Sequence, residues 1–245
     1  MRAMRSSAVY LGNNTVLLKT KYDDKMFVDS RDLGIAPHLI LDGNWEEWIT
    51  IVLGGFLTLN TVFFDVGANF GWFTLFAATR VKQVYAFEPN VNLFRLLERS
   101  VHVNGRSNVK LAQQALGDVV EQRQLDVSDN WVGNGRIVEP EERMFHHQYV
   151  TVNTLDNYLD SSEEALGDAA VVLKIDVEGF EPRVVLGGKS LVSRPNCTAF
   201  VEYHPDASRL AEMLDLFESL HYRMAHVKET AELADISREQ LANLR

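Results

Sequence analysis

The chain has 245 residues, 46% of them hydrophobic and 24% charged, enough for one large domain with a sizeable core and ordinary for a soluble globular protein. A formal net charge of −10 and a pI near 5.2 repel phosphate backbones, and no Lys/Arg cluster builds a local basic groove, so no nucleic acid is expected as a general partner. The single cysteine, Cys197, excludes an intramolecular disulfide, suits a cytoplasmic location and reads as a packed thiol.

Residues 1–7 carry two arginines with no apolar run of signal-peptide length behind them. Residues 8–29 alternate weakly and are punctuated by Gly12-Asn13-Asn14 and Asp23-Asp24, which predicts a short hairpin. Residues 44–57 place Trp45, Trp48, Ile49 and Val52 or Leu53 at helical spacing, with the two tryptophans read as core. Residues 49–64 are the most apolar stretch, but Gly54, Gly55, Asn60 and Thr61 interrupt it and it is too short to cross a bilayer, so no membrane is expected.

From Thr61 the pattern changes. Thr61-Val62-Phe63-Phe64-Asp65 is a continuous apolar run, as in a strand covered on both faces. Helix is expected over 72–79, strand over 84–88, and helix over 90–104 with Leu93, Leu96, Leu97 and Val101 on one face. Strand follows over 108–113 and 171–176, helix over 181–192, strand over 198–203 and helix over 207–220. A sixth strand is expected over 222–227, and a last helix over 237–244 with Ser237 and Gln240 as a capping box. Residues 119–153 break the alternation. Two strand-like pieces, 124–127 and 149–153, flank the polar loop 128–136 and read as a small β insertion at the ligand edge, before the fourth strand. Strands alternating with helices predict an α/β fold, a doubly wound and mostly parallel sheet with right-handed crossovers. Residues 1–60 would be a hairpin-and-helix extension packed on residues 61–245, forming a single domain overall.

Three segments carry the chemistry. The first is Asp65-Val66-Gly67-Ala68-Asn69-Phe70-Gly71, between an apolar strand and a helix, where open α/β sheets bind ligands. A dinucleotide site wants G-x-G-x-x-G for its pyrophosphate. Here Asn69 stands at the middle glycine position and the acid Asp65 ends the strand, which suits a ligand carrying an amino group and a sulfonium. The second is Glu88, ending the second strand in Ala86-Phe87-Glu88-Pro89. It is placed to accept hydrogen bonds from both ribose hydroxyls, or else is a helix N-terminal charge. The third is Lys174-Ile175-Asp176-Val177-Glu178-Gly179-Phe180-Glu181. Its two carboxylates, Asp176 and Glu178, close the fourth strand, and charges there are costly unless they meet ligand or partners; a solvated turn is the alternative.

Together these segments resemble the FkbM family of S-adenosylmethionine methyltransferases. Ala115-Leu116-Gly117-Asp118, Thr154-Leu155-Asp156-Asn157-Tyr158-Leu159 and Val201-Glu202-Tyr203-His204-Pro205 match as well, in the family's order, over residues 45–205. The resemblance implies a class I methyltransferase (Rossmann-like) fold of seven strands with the last antiparallel, here residues 231–236, and S-adenosyl-L-methionine as cofactor. It implies Asp65, Gly67, Asn69 and Gly71 at the methionine end, Glu88 on the ribose, Ala115 and Asp118 along the adenine, and Asp176 near the methyl group. Glu47 matches an acid often carried before the first strand. The acceptors implied are hydroxyl oxygens of sugars, natural products or related small molecules.

Methyl transfer to an alcohol also needs a proton acceptor. Asp176, Glu178 and His204 are the candidates, with Glu202 orienting His204 or a substrate group; His204 reads equally as a hydrogen-bonded loop histidine. Trp131 with the loop 128–136 reads as acceptor pocket or core. His146 and His147, adjacent on a strand, point to opposite faces, so no metal is expected there. The competing functions are an N-methyltransferase, a divalent-metal-assisted O-methyltransferase using Asp126, Asp129 or Asp176, a nicotinamide-dependent oxidoreductase, and a non-catalytic cofactor-binding module.

Overall fold

Three short strands, β1 (Ala8–Gly12), β2 (Thr15–Lys19) and β3 (Lys25–Asp29), pair antiparallel in sequence order. The hairpin expected over 8–29 thus has a third strand. Its first corner turns on Gly12, Asn13 and Asn14, all at positive φ, a conformation glycine and asparagine tolerate. The structure, a computed structural model, describes residues 7–127, 135–138, 147–161, 166–206 and 208–241; Trp131, Asp129 and His146 lie outside them. Two helices follow, α1 (Ala36–Asp42) and α2 (Glu47–Gly54). The Asp32 carboxylate accepts the N–H groups of Ile35 and Ala36 at 2.8 and 2.7 Å, supplying acceptors where the start of α1 has none.

The alternating half comprises β4 (Thr61–Val66), α3 (Trp72–Ala78), β5 (Gln83–Phe87), α4 (Val91–Val103) and β6 (Val109–Ala112). Next come β7 (Ala115–Leu116), β8 (Glu121–Asp126), β9 (His147–Asn153) and α5 (Leu155–Ser161). The chain continues through β10 (Ala170–Ile175), α6 (Glu181–Gly187), α7 (Lys189–Val192), β11 (Cys197–Val201) and α8 (Leu210–Ser219). It ends in β12 (Ala225–Val227), β13 (Leu233–Asp235) and α9 (Arg238–Leu241). The expected capping box is formed: Ser237 N–H donates to Gln240 Oε1 at 2.9 Å, and Gln240 N–H to Ser237 Oγ at 3.2 Å.

The central sheet runs β11-β10-β4-β5-β6, all neighbours parallel. Counting these five in chain order gives 5-4-1-2-3, so the order reverses beside β4, and that is where a doubly wound sheet opens its ligand crevice. Alternate strand residues serve two cores. Phe63, Val84, Ala86 and Val172 face one that also gathers Leu93, Leu97 and the N-terminal Val16, Leu18 and Met26. Phe64, Tyr85, Leu173 and Ile175 face the other, with Val184, Val185, Met213 and Phe217. Two covered faces explain the unbroken apolar strands.

The seven strands implied by the resemblance are not what forms: among the described residues the central sheet has five. The expected sixth and seventh strands, β12 and β13, pair antiparallel with each other as a separate ribbon. Each is three residues long and largely exposed, too short and too polar to be covered on both faces. The insertion forms its own sheet, ordered β7-β9-β8, around Leu125, Val150, Val152 and Phe180. Among the described residues no helix is long and apolar enough to cross a membrane.

Candidate functional site

A cleft of about 310 Å³ opens at the carboxyl ends of β4, β5 and β10. Leu125, Gly135 and Ile137 of the insertion close one side, so the insertion does stand at the ligand edge. Trp45, Phe70 and Leu39 supply apolar walls from the other side.

The β4–α3 turn needs its glycine. Gly67 has φ 83°, and a Cβ there would stand 1.9 Å from the Asp176 carbonyl oxygen. A bare backbone at that point lets the β4 and β10 ends meet and leaves the cleft floor open. Gly67 and Ala68 both donate their N–H to the Phe87 carbonyl at 3.0 Å, which ties the turn to β5.

Glu88 ends β5 against this turn. Its carboxylate accepts Asn69 N–H at 2.8 Å through one oxygen and Asn90 N–H at 2.8 Å through the other. Each oxygen keeps a further lone pair, and Glu88 lines the cleft. Burial pushes its pKa up to about 7, against the pull of those two backbone bonds. Asn90 also caps α4, accepting Asn92 N–H at 2.9 Å.

The opposite wall is built from side chains. Lys174 and Asp65 are register partners on neighbouring strands, so both lie on one face of the sheet. Lys174 is buried, stands 4.5 Å over the Phe73 ring, and donates to Asp176 Oδ2 at 2.8 Å. Burial alone would lower its pKa, but Asp176, Asp65 and Glu46 outweigh it and hold the ammonium charged. Burial would raise Asp176; the Lys174 ammonium and a hydrogen bond with Glu202 outweigh it and hold Asp176 below the ordinary carboxylate range. Glu202, although its side chain is nearly half exposed, is pushed up to about 8 by partial burial and the adjacent Asp176 charge. Glu178 rises by burial and then by Asp176. His204 Nε2 lies 2.9 Å from Glu202 Oε2 and 3.9 Å from Glu181 Oε1; burial would lower its pKa, but the Glu202 bond and these acids raise it. One ligand atom each of Glu178, Glu202 and His204 lies within 4.8 Å of the others, a spacing that could hold a metal ion.

The expected residues thus divide. Gly67, Asn69, Glu88, Ala115, Asp176 and Glu178 line the cleft. Asp65 and Gly71 stand behind its wall. Asp65 is buried, takes Thr74 Oγ1–H on Oδ2 at 2.6 Å, and leaves Oδ1 buried without a partner. Gly71 has φ 94°, and a Cβ would meet Leu97 at 2.4 Å, so it serves helix packing. Asp118 pairs with Arg183 at 3.3 Å and with Arg209, outside the cleft. Glu47 is exposed and binds Lys21 at 2.5 Å, while its neighbour Glu46 lines the cleft. Left-handed backbone at Glu46, φ 40°, just before α2 turns the two acids apart. His204 stands at the rim, joined to the cleft through Glu202. Sequence reasoning passed over Glu46 and Lys174. A lysine inside an apolar strand, two residues from Asp176 and hence on its face, was the available signal for Lys174.

The residues fit a sulfonium cofactor by the chemistry of the set. Glu88 offers two acceptor oxygens at a fixed place, and the three acids Asp176, Asp65 and Glu46 surround one buried ammonium, so acidic groups outnumber cations at the cleft. The bare backbone at Gly67 and the orphaned Asp65 oxygen belong to the same corner.

The sequence profile of the methyltransferase FkbM domain matches residues 65–224. No curated protein matches the chain. Among solved structures, the chain is similar to an FkbM methyltransferase from Methylobacillus flagellatus KT, at 14% identity and TM-score 0.47, over 69% of this chain and 40% of that one. The chain therefore spans well under half the length of that relative. It is similar also to an rRNA methylase from Streptococcus thermophilus, at 14% identity and TM-score 0.42, covering 72% and 81% of the two chains. A third is TYW2 from M. jannaschii in complex with AdoMet, at 23% identity and TM-score 0.33, covering 46% and 55%. At these values the likenesses add nothing to what the sheet order already shows.

Proposed function

The chain belongs to the FkbM methyltransferase family, and we propose that it transfers a methyl group from S-adenosylmethionine to a hydroxyl oxygen of a small molecule such as a sugar or natural product. The observation that carries the cofactor reading is Glu88, whose two oxygens are pinned by backbone N–H groups while its carboxylate lines the cleft. That geometry offers one acceptor to each hydroxyl of a vicinal diol, as ribose presents. The acids beyond it favour a cation. A nicotinamide dinucleotide would set its pyrophosphate beside Asp176 and Glu178, a repulsive arrangement.

When bound, the cofactor supplies the electrophilic methyl. The chain's own contribution is placement: Glu88 holds one end, the apolar walls of Trp45 and Phe70 exclude water, and the Asp176 side of the cleft receives the acceptor. Aligning two reactants can supply roughly 7–11 kcal/mol in favourable cases. The acid-lined corner provides acceptors for a hydroxyl proton, which favours oxygen over an already nucleophilic neutral amine. With its acidic surface the protein is expected to work on free small molecules rather than on nucleic acid or membranes.

Calorimetry with S-adenosylhomocysteine tests the cofactor reading. Binding is expected for the natural chain and is abolished in Glu88→Ala; a folded chain giving no heat with this ligand contradicts it. A screen of sugar, natural-product hydroxyl and amine acceptors with methyl-labelled cofactor tests the acceptor. Label found only on amines overturns the hydroxyl assignment.

A further inference from the structure

The β10–α6 turn and the end of β11 bring a mixed set of side chains to the acceptor side of the cleft. Glu178 and Glu202 line it, and His204 stands at the rim beside Glu202. One ligand atom of each lies within 4.8 Å of the other two. Metal–ligand bonds of about 2.1 Å set ligand atoms about 3 Å apart at a right angle and about 4.2 Å apart across the ion. Glu202 Oε2 and His204 Nε2 already stand 2.9 Å apart. Among the described residues no hydrogen bond fixes the Glu178 carboxyl, so a side-chain rotation brings it onto the same point.

A second observation bears on the same place. Glu181 opens α6 and is 1% exposed. Its Oε1 accepts Val177 N–H at 2.9 Å and Gly179 N–H at 3.1 Å, which pins the turn that carries Glu178. The same oxygen stands 3.9 Å from His204 Nε2. The other oxygen of that carboxylate, Oε2, is buried with no hydrogen-bond partner among the described residues. A buried carboxylate oxygen is costly unless a donor or a cation reaches it. The ammonium of this corner is already spent, since Lys174 Nζ holds Asp176 at 2.8 Å. Asp176 therefore keeps its lysine and stays out of the ligand set, although the sequence offered it with Asp126 and Asp129 for a metal.

We propose that Glu178, Glu202 and His204 bind one divalent transition-metal ion, with the Glu181 carboxylate beside them adding its charge. Two carboxylates with an imidazole differ from the all-oxygen sets that calcium and magnesium take, and suit manganese, iron(II) or zinc. Three protein ligands leave at least one coordination position open. Two of the three line the cleft, so the open side meets the space where an acceptor enters. Binding of the ion stands on these residues alone; its role rests on the hydroxyl reading above and deepens it. A hydroxyl that coordinates there loses proton affinity. On transfer the acceptor O–H bond breaks, and the proton goes to an uncoordinated carboxylate oxygen of the corner and on to water. The bond from the acceptor oxygen to the methyl carbon forms as the bond from sulfur to that carbon breaks, the sulfur keeping the electron pair.

Manganese is the probe. The chain is stripped with EDTA, dialysed and titrated with MnCl₂, and electron paramagnetic resonance reads the free ion. A single equivalent is expected to bind, and spin-echo modulation should show one coordinated imidazole nitrogen. Glu178→Gln, Glu202→Gln and His204→Ala should each weaken binding more than about tenfold, the loss that even outer-shell partners cause. At saturating manganese His204→Ala should also erase the nitrogen modulation. Glu232→Gln, on the exposed C-terminal ribbon, should change neither, which separates the site from diffuse binding to an acidic chain. No saturable binding to the folded natural chain overturns the proposal. Binding undiminished in the three variants overturns it, as does bound manganese without the imidazole signal. Methyl transfer to a hydroxyl acceptor that survives EDTA unchanged overturns the role in transfer. Calorimetry with S-adenosylhomocysteine on the same sample keeps the two readings apart: bound manganese with no heat defeats the cofactor reading and leaves the metal site standing.

Discussion

The two walls of the cleft are built on opposite plans. At the β5 end, Glu88 is fixed by main-chain N–H groups of Asn69 and Asn90, donors that belong to the backbone and carry no charge. At the β10–β11 end, side chains hold side chains: Lys174 pairs with Asp176 and His204 with Glu202. The first wall is a rigid socket. The second changes state with pH.

Substitutions on either side sharpen or break this contrast. The largest effect is expected from Glu202→Gln once an acceptor is identified. Steady-state kinetics should show kcat for a hydroxyl acceptor falling about 10²–10⁴-fold, with cofactor affinity kept; an unchanged kcat would leave the second wall without its assigned role. Lys174→Met removes the cation from three acids and should destabilise the fold by about 3 kcal/mol. Urea unfolding checks this, and a loss below about 0.5 kcal/mol would mean the acids do not depend on that charge. Glu88→Gln keeps the shape but weakens charge-assisted bonds worth about 1.5–3 kcal/mol each. S-adenosylhomocysteine affinity should fall roughly 10–100-fold by calorimetry, with kcat at saturation little changed.

The smallest effect is in pH. Glu88 holds its proton more tightly folded than unfolded, since burial carries it from 4.5 up to about 7. Between those values the folded state binds more protons, so its stability falls as pH rises through the window. The melting temperature of the ligand-free chain should drop by a few degrees from pH 5 to pH 8, and Glu88→Gln should reduce that drop without removing it, since Glu202, also raised, works with the same sign. Asp176 works with the opposite sign, but its pKa is lowered from 3.8, so its loss of stability on acidification lies below this window.

Much of the fold could be read from the chain because the strands are covered on both faces. Phe63-Phe64 in β4 and Val171-Val172-Leu173 in β10 are buried throughout, and a strand buried on both faces requires the unbroken apolar run that the chain shows there. Short elements were less legible. The seven residues of α1 begin beside Pro37 and bury only Ala36 and Leu39, too little pattern to announce a helix. The strand tendency of 222–227 and 231–236 was visible, but its partner was not, since sequence periodicity gives a strand without its neighbour. In the site, motif residues that work through backbone geometry, Gly67 and Asn69, were legible from spacing. Glu46 was missed by one position because a left-handed residue at the start of α2 decides which acid faces inward. Glu202 and Asp176 are neighbours at the ends of adjacent strands that are distant in sequence, one step past the Ile175↔Val201 pair, and only the β10–β11 register reveals it.

The claim on which most depends is that Glu88 receives a ribose while the acid corner faces the sulfur. A crystal structure of the chain with S-adenosylhomocysteine tests it directly. The prediction is both Glu88 carboxylate oxygens within hydrogen-bond distance of the two ribose hydroxyls, with the sulfur turned toward Asp176 and Glu202. A ligand seated elsewhere, or one whose ribose leaves Glu88 free in the same cleft, would contradict it.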